Sequence, residues 1–315
     1  MASSKNIRVQ AMYPNFAVLS ADGKSRCTVV HHGHFIESIY YLMTDLRKIV
    51  FPGRKGPDEI WDVEAENYAW IDFLWGTLGR SGEVGKDMEL VYNMLRSKKA
   101  TRRLILKLAR SIPKRFEHPW LVRWFEILLI WLVLTLLVNR FRKLERTTPG
   151  SPLSKKSKKL LKAYIGQYVR GQLLRECQDG LPDQLTFVFG HTHKPYEKVL
   201  EDVPDVEAAV HIYNMGGWVI DTITTAPSQG GAIVVIDEDG YAASIRMYNQ
   251  SNDPTSYKVK VARADSEPGE ENKLYEYLEA AISPEAKPWS DFSKEVEKAV
   301  KDRRCNLKGV IRRVE

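Results

Sequence analysis

Two short apolar runs that each end in a knot of histidines constrain this chain more than any other feature. Val29-Val30 leads directly into His31-His32-Gly33-His34, and Leu185-Thr186-Phe187-Val188-Phe189 leads into Gly190-His191-Thr192-His193-Lys194-Pro195. These two segments hold five of the 7 histidines. A buried strand delivers the chain to the edge of a sheet, where loops build sites. Gly190 permits a tight turn or a close backbone approach, and Pro195 stiffens the exit. In extended chain, residues i and i+2 point to the same side. His191 and His193 are therefore expected to present their rings to one place, or to two metals about 3.5–4 Å apart.

The flanking sequence predicts an α/β fold. Phe16 to Leu19 and Cys27 to Val30 read as strands around Ala21-Asp22-Gly23-Lys24, an Asp-Gly hairpin signal. From about residue 35 to about residue 177 apolar residues recur at helical spacing. Ile36, Ile39, Tyr40 and Met43 make one stripe. Leu90, Met94, Leu95, Leu104, Ile105 and Leu108 make another, and Leu160, Leu161, Tyr164, Ile165, Tyr168, Val169 and Leu173 give the cleanest amphipathic helix. Strand patterns return at Leu185 to Phe189, Ala209 to Tyr213, Trp218 to Ile220, Ala232 to Ile236 and Ala242 to Met247, with Asp237-Glu238-Asp239-Gly240 as a hairpin turn. Residues 251–270 read as a linker. Two helices follow, the second with Ser290 as a possible N-cap. The expected organisation is a core at 1–50 and 180–250, a helical insert at 51–179, and a linker with C-terminal helices at 251–315. The helical block is too long for a loop, so it reads as an inserted subdomain.

Charge is uneven along this frame. The net charge is +7, and it concentrates in two groups. One is Lys98, Lys99, Arg102, Arg103, Lys107 and Arg110. The other is Arg140, Arg142, Lys143, Arg146, Lys155, Lys156, Lys158, Lys159 and Lys162. Such clusters attract the phosphates of lipid or nucleic acid, or are solvated helix faces. Between them lies Trp120 to Val138, the most apolar stretch, interrupted by Arg123 and Glu126. Its uncharged part falls short of the ~20 residues a spanning helix needs. It reads either as a buried core helix or as a helix lying in a membrane surface, with Trp120, Trp124 and Trp131 as interface residues. Cys27, Cys177 and Cys305 lie far apart, which excludes a zinc knuckle and fits a reducing compartment. The N-terminal residues lack a signal peptide's apolar core. The expected location is cytoplasmic, or peripheral on the cytoplasmic membrane face.

Phe189-Gly190-His191-Thr192-His193-Lys194-Pro195 resembles the last metal motif of the calcineurin-like metallophosphoesterases. Val30-His31-His32-Gly33-His34 is similar to the motif before it, and Asn214-Met215-Gly216-Gly217-Trp218 resembles the turn that follows. The resemblance covers roughly residues 10–50 and 155–250. It implies part of a two-sheet metallophosphoesterase sandwich and a site for two divalent ions, Mn, Fe or Zn. His32 and His191 would ligate one ion and His193 the other. The implied chemistry is hydrolysis of a phosphoester by metal-activated water. Some family members that act on lipid-linked phosphates carry a helical insert between these same motifs, a resemblance in layout, so a lipid-linked substrate is one expectation. The family's opening motifs, Asp-x-His, Gly-Asp-x-x-Asp and Gly-Asn-His-Asp/Glu, do not occur in this sequence. The expectation is therefore an incomplete phosphoesterase, inactive alone, whose N-terminal half is supplied in cis or in trans. A degenerate member that binds a membrane or partner, and a nucleic-acid binder using its basic helices, are the alternatives. His31 and His34 are not assigned as ligands. His118 and His211 read as satisfied core or surface histidines.

Overall fold

The computed structural model describes residues 7–20, 25–37, 40–71, 98–111, 113, 118–141, 151–176, 180–220, 225–264 and 271–314. The Ala21 to Lys24 turn, Ile39, the stripe at Leu90, Met94 and Leu95, the basic residues Arg142, Lys143 and Arg146, and Cys177 lie outside them. The fold is mixed α/β. Six strands form one sheet: β1 (Ile7–Met12), β2 (Asn15–Ser20), β3 (Arg26–His31), β4 (Gln184–Phe189), β5 (Tyr196–Leu200) and β6 (Val210–Asn214). Their spatial order is β1-β2-β3-β4-β6-β5. β3, β4 and β6 run parallel at the centre, and the outer strands pair antiparallel. Parallel strands are covered on both faces and read as continuous apolar runs, and β4 is buried from Leu185 to Phe189. A second, antiparallel sheet is made of β7 (Gly230–Ile236), β8 (Ala242–Asn249) and β9 (Lys260–Ala262).

The two sheets share a core. Val188 and Tyr213 from the first pack with Ala242 and Ala264, joined by Val30, Met215, Val234 and Ile236. The Tyr213 hydroxyl donates to Ala242 O at 2.7 Å. Arg246 on β8 forks onto the Glu197 carboxylate on β5, with Nη2 to Oε2 at 2.7 Å and Nε to Oε1 at 3.4 Å. The other cluster of the second sheet, from Ile245, Met247, Tyr248 and Tyr257, is covered by Ile282 and by Phe292, Val296 and Val300 of the last helix. At roughly 25 cal/mol per Å² of apolar area, these layers supply the main stabilisation.

The helices are α1 (Leu42–Val50), α2 (Ile60–Ile71), α3 (Lys98–Ser111), α4 (Trp120–Phe141), α5 (Lys155–Ala163), α6 (Arg170–Glu176), α7 (Lys273–Ala281) and α8 (Trp289–Val314). A π-helical turn at Tyr164–Val169 joins α5 to α6. Gly166 within it lies so close to Pro204 that a Cβ would meet its carbonyl oxygen at 2.3 Å. The chain divides into two compact units. One comprises Met1–Ala69, Pro149–Ile220 and Thr225–Val300, the other Trp70–Thr148, Asp221–Thr224 and Lys301–Glu315. In the second unit α3 packs Ile105 and Ala109 inward and turns Arg102, Arg103, Lys107 and Arg110 to solvent. Among the described residues no helix is long and apolar enough to cross a membrane. Yet α4 leaves Trp120, Leu121, Trp124, Phe125, Leu128 and Leu136 exposed, Trp120 at 72%. That is not the pattern of a buried core helix.

Several expectations need correction. Trp218-Val219-Ile220 is not a strand. Gly216, with φ 67, turns the chain so tightly that a Cβ would meet Gly230 O at 2.3 Å. The linker contains β9 and the 3-10 turn Pro254–Tyr257, because β8 needs a partner on its second edge. The helix expected from Ile36 begins only at Leu42. Ser290 lies inside α8, where its N–H donates to Ala286 O at 3.0 Å, so it is not the N-cap.

Candidate metal centre

Strand pairing brings the two histidine segments together. β3 and β4 run parallel with His31 opposite Phe189, so both chains leave the sheet at the same edge. The Gly190 N–H then donates to His32 O at 3.1 Å. Gly33, at φ 103, lies against this corner, and a Cβ there would meet Phe189 Cδ2 at 2.9 Å and Gly190 O at 3.1 Å. As a result His32 Nε2 and His191 Nδ1 stand 3.1 Å apart, with the rings edge to face. Glu37, nearly buried, holds Oε1 at 3.9 Å from the other nitrogen of His191.

The segment His191-Thr192-His193 is not extended, contrary to the simple strand argument. His191 and His193 have φ 67 and φ 59, both left-handed. Such residues cost on the order of 1–3 kcal/mol each and persist where surroundings over-determine them. Here Thr192 is the anchor. It is fully buried, its hydroxyl accepts from Asn214 Nδ2 at 2.8 Å, and its N–H donates to Gly190 O at 2.7 Å. Asn214 is itself held, since its Oδ1 accepts the Gly216 N–H at 2.8 Å. Lys194, also buried, donates through Nζ to Ser151 O at 3.1 Å. With Thr192 and Lys194 turned inward, His191 and His193 are left half-buried on the outer side. The His193 ring lies over Gly217, where a Cβ would come within 2.3 Å of its Cδ2.

His31 and His34 extend the cluster, which the sequence reading did not anticipate. Ring centroids are 4.7 Å apart for His31 and His34, and 5.6 Å for His32 and His34. His31 is buried against Phe35 and Tyr164, and its Nδ1 accepts the Gly33 N–H at 2.9 Å. His34 Nε2 lies 3.1 Å from Glu64 Oε1. The Tyr40 hydroxyl donates to the same oxygen at 2.5 Å. Glu64 comes from α2, whose buried face is Ile60, Val63, Glu64 and Asn67. Asn67 docks this helix, because its Oδ1 accepts from Met43 N at 3.1 Å and Thr44 N at 3.4 Å in the open first turn of α1. The sequence signal for Glu64 was a carboxylate on the apolar stripe of a helix, a place that charged residues avoid unless paired.

Burial dominates the electrostatics. It pushes the His31 imidazole well below its usual pKa, and the neighbouring His34, His32 and His191 push the same way. Burial and then His34 lower His32 too, even though its side chain reaches solvent. Neutral rings offer lone pairs, which metal binding requires. Burial, then the charge of Glu64, raises the Tyr40 phenol. His118 sits elsewhere, 2.7 Å from Glu126, and His211 lies within β6.

No family model, no curated protein and no solved structure matches this chain.

Proposed function

We propose that the chain is a metal-dependent phosphoester hydrolase of the calcineurin-like metallophosphoesterase type, its two sheets corresponding to part of that family's sandwich. The observation that carries the reading is the 3.1 Å approach of His32 Nε2 to His191 Nδ1. Two nitrogens bound to one ion at 2.0–2.1 Å in tetrahedral geometry lie roughly 3.3 Å apart, so the pair fits a single Mn, Fe or Zn ion. His193 would serve the second ion. Bound divalent ions polarise phosphoryl oxygens and lower the pKa of water. The chain's own part is to hold His191 through Thr192 and Asn214, and to place Glu37 behind it. The strained loop also supports the reading, since left-handed non-glycine residues cluster at functional sites.

The missing carboxylate motifs would come from another segment, in cis or in trans. The test is hydrolysis of bis(p-nitrophenyl) phosphate with Mn²⁺, by the chain alone and by the chain joined to a segment carrying Asp-x-His, Gly-Asp-x-x-Asp and Gly-Asn-His. The joined form should turn over, and its His191→Ala variant should not. A folded joined form without activity, or activity indifferent to His191, overturns the reading.

A second reading is favoured by α4. A phosphoesterase-like protein that binds an anionic membrane, acting on a lipid-linked phosphoester or on nothing, accounts for its exposed apolar residues beside the basic face of α3. Flotation with anionic vesicles separates it from the nucleic-acid alternative. The latter requires salt-sensitive binding to nucleic acid and none to vesicles.

A further inference from the structure

We propose that His31, His34 and Glu64 form a divalent-cation site distinct from the His32–His191 pair. One nitrogen from each histidine and one carboxylate oxygen all lie within 4.8 Å of one another. Three ligands on one ion at about 2.0–2.2 Å stand roughly 3.3 Å apart, so no pair has more than about 1.5 Å to close. One pair, His34 Nε2 and Glu64 Oε1, is at 3.1 Å already.

Three features distinguish this group from a buried carboxylate that has merely found donors. Tyr40 and His34 both converge on the single oxygen Oε1, so the polar atoms are focused on a point. His31 is 4% exposed, and its Nε2 is a buried polar atom with no hydrogen-bond partner among the described residues. The Gly33 N–H on Nδ1 fixes that ring and leaves its proton on Nε2. A cation at Nε2 takes the place of this proton, which moves to Nδ1 as the ring gives up the Gly33 contact, so the ligand stays a neutral imidazole. The backing is also in place, because Asn67 docks α2 on α1 and holds Glu64 where it is. Two imidazoles and one carboxylate select Zn²⁺, Fe²⁺ or Mn²⁺ over Ca²⁺ and Mg²⁺. The site goes beyond the phosphoesterase reading, since it needs neither His191 nor turnover.

The experiment is Zn²⁺ titration of the chelator-treated full chain, followed by calorimetry and by Co²⁺ absorption. The His191→Ala chain, which removes the other pair, should still bind one ion. Adding Glu64→Gln to it should weaken that binding at least tenfold, and adding His34→Asn instead should do the same. Because His34 is partly exposed, the His34→Asn form keeps the test open if Glu64→Gln fails to fold by circular dichroism. A His191→Ala chain that binds no Zn²⁺, or unchanged affinity in either folded double variant, overturns the proposal. A folded joined form with His191 intact that keeps this ion yet does not hydrolyse bis(p-nitrophenyl) phosphate would count against the phosphoesterase reading alone.

Discussion

The carbonyl of His32 accepts the backbone N–H of Gly190, and this bond ties the first histidine segment to the second at 3.1 Å. Gly33 sits in the same corner at φ 103 with Phe189 Cδ2 2.9 Å from where a Cβ would stand. Gly33→Ala therefore carries both a strained backbone and a steric overlap. It should destabilise the chain by about 2 kcal/mol, read as a lower urea midpoint with an unchanged slope. A wild-type midpoint would mean that the corner relaxes freely.

Gly217→Ala probes the other side of the loop. The added methyl would fall 2.3 Å from His193 Cδ2 and must displace that ring. The expected result is weaker binding of a second ion with little change at His32 and His191. Metal stoichiometry by atomic absorption, taken before and after the substitution, reads it directly. Equal stoichiometry would show that His193 is not a ligand.

Acid should destabilise the metal-free chain. Folding lowers the His31 pKa below its ordinary 6.5, so the unfolded chain binds a proton that the folded chain does not. Stability is full above the unfolded pKa and falls as pH drops through it towards the folded value, by up to ~1.4 kcal/mol per pH unit for one group. His32 acts in the same direction. Thermal midpoints should fall between about pH 7 and pH 5, and less steeply in His31→Gln. Parallel slopes for the two proteins would assign the acid sensitivity to other groups.

Leu129, Leu132 and Leu136 on α4 are about half-exposed or more. If this helix inserts into a bilayer surface, replacing Leu129, Trp131 and Leu132 by polar residues should remove on the order of 1.5–3 kcal/mol each from vesicle binding. Co-sedimentation with phosphatidylserine-containing vesicles at low salt measures it. A wild-type chain that stays in the supernatant rules the surface role out.

Turnover from residues 1–315 alone should be slight with Mn²⁺ present. A dinuclear site needs a bridging carboxylate to hold two cations against their repulsion, and catalytic sites need about three protein ligands per ion. Robust hydrolysis of bis(p-nitrophenyl) phosphate that disappears in His191→Ala would mean that the chain completes its own site.

The central strands were legible because a buried parallel strand writes itself as an unbroken apolar run, as in Phe187-Val188-Phe189. β5 was not, since Glu197 and Lys198 dilute the apolar pattern of an edge strand with a single neighbour. The histidine segments could be found, but not the turn of their backbone. The left-handed shape of His191 and His193 depends on Asn214 gripping Thr192 from 22 residues away. Glu64 stayed hidden for a related reason. A glutamate in a helix reads as solvent-facing until Tyr40 and His34 are seen meeting it.

The parallel ladder between β3 and β4 also sets the order in which this protein can acquire its site. Arg26 pairs with Gln184, a separation of 158 residues, and loops of that length close late and slowly. During synthesis at about 5–20 residues per second, His31 to His34 wait on the order of ten seconds before the strand they need has been made. Throughout that interval β3 has only its antiparallel neighbour β2 beside it, and its other edge is open to any strand that arrives first. Faithful folding of this chain therefore depends on what covers β3 before Phe187 reaches it.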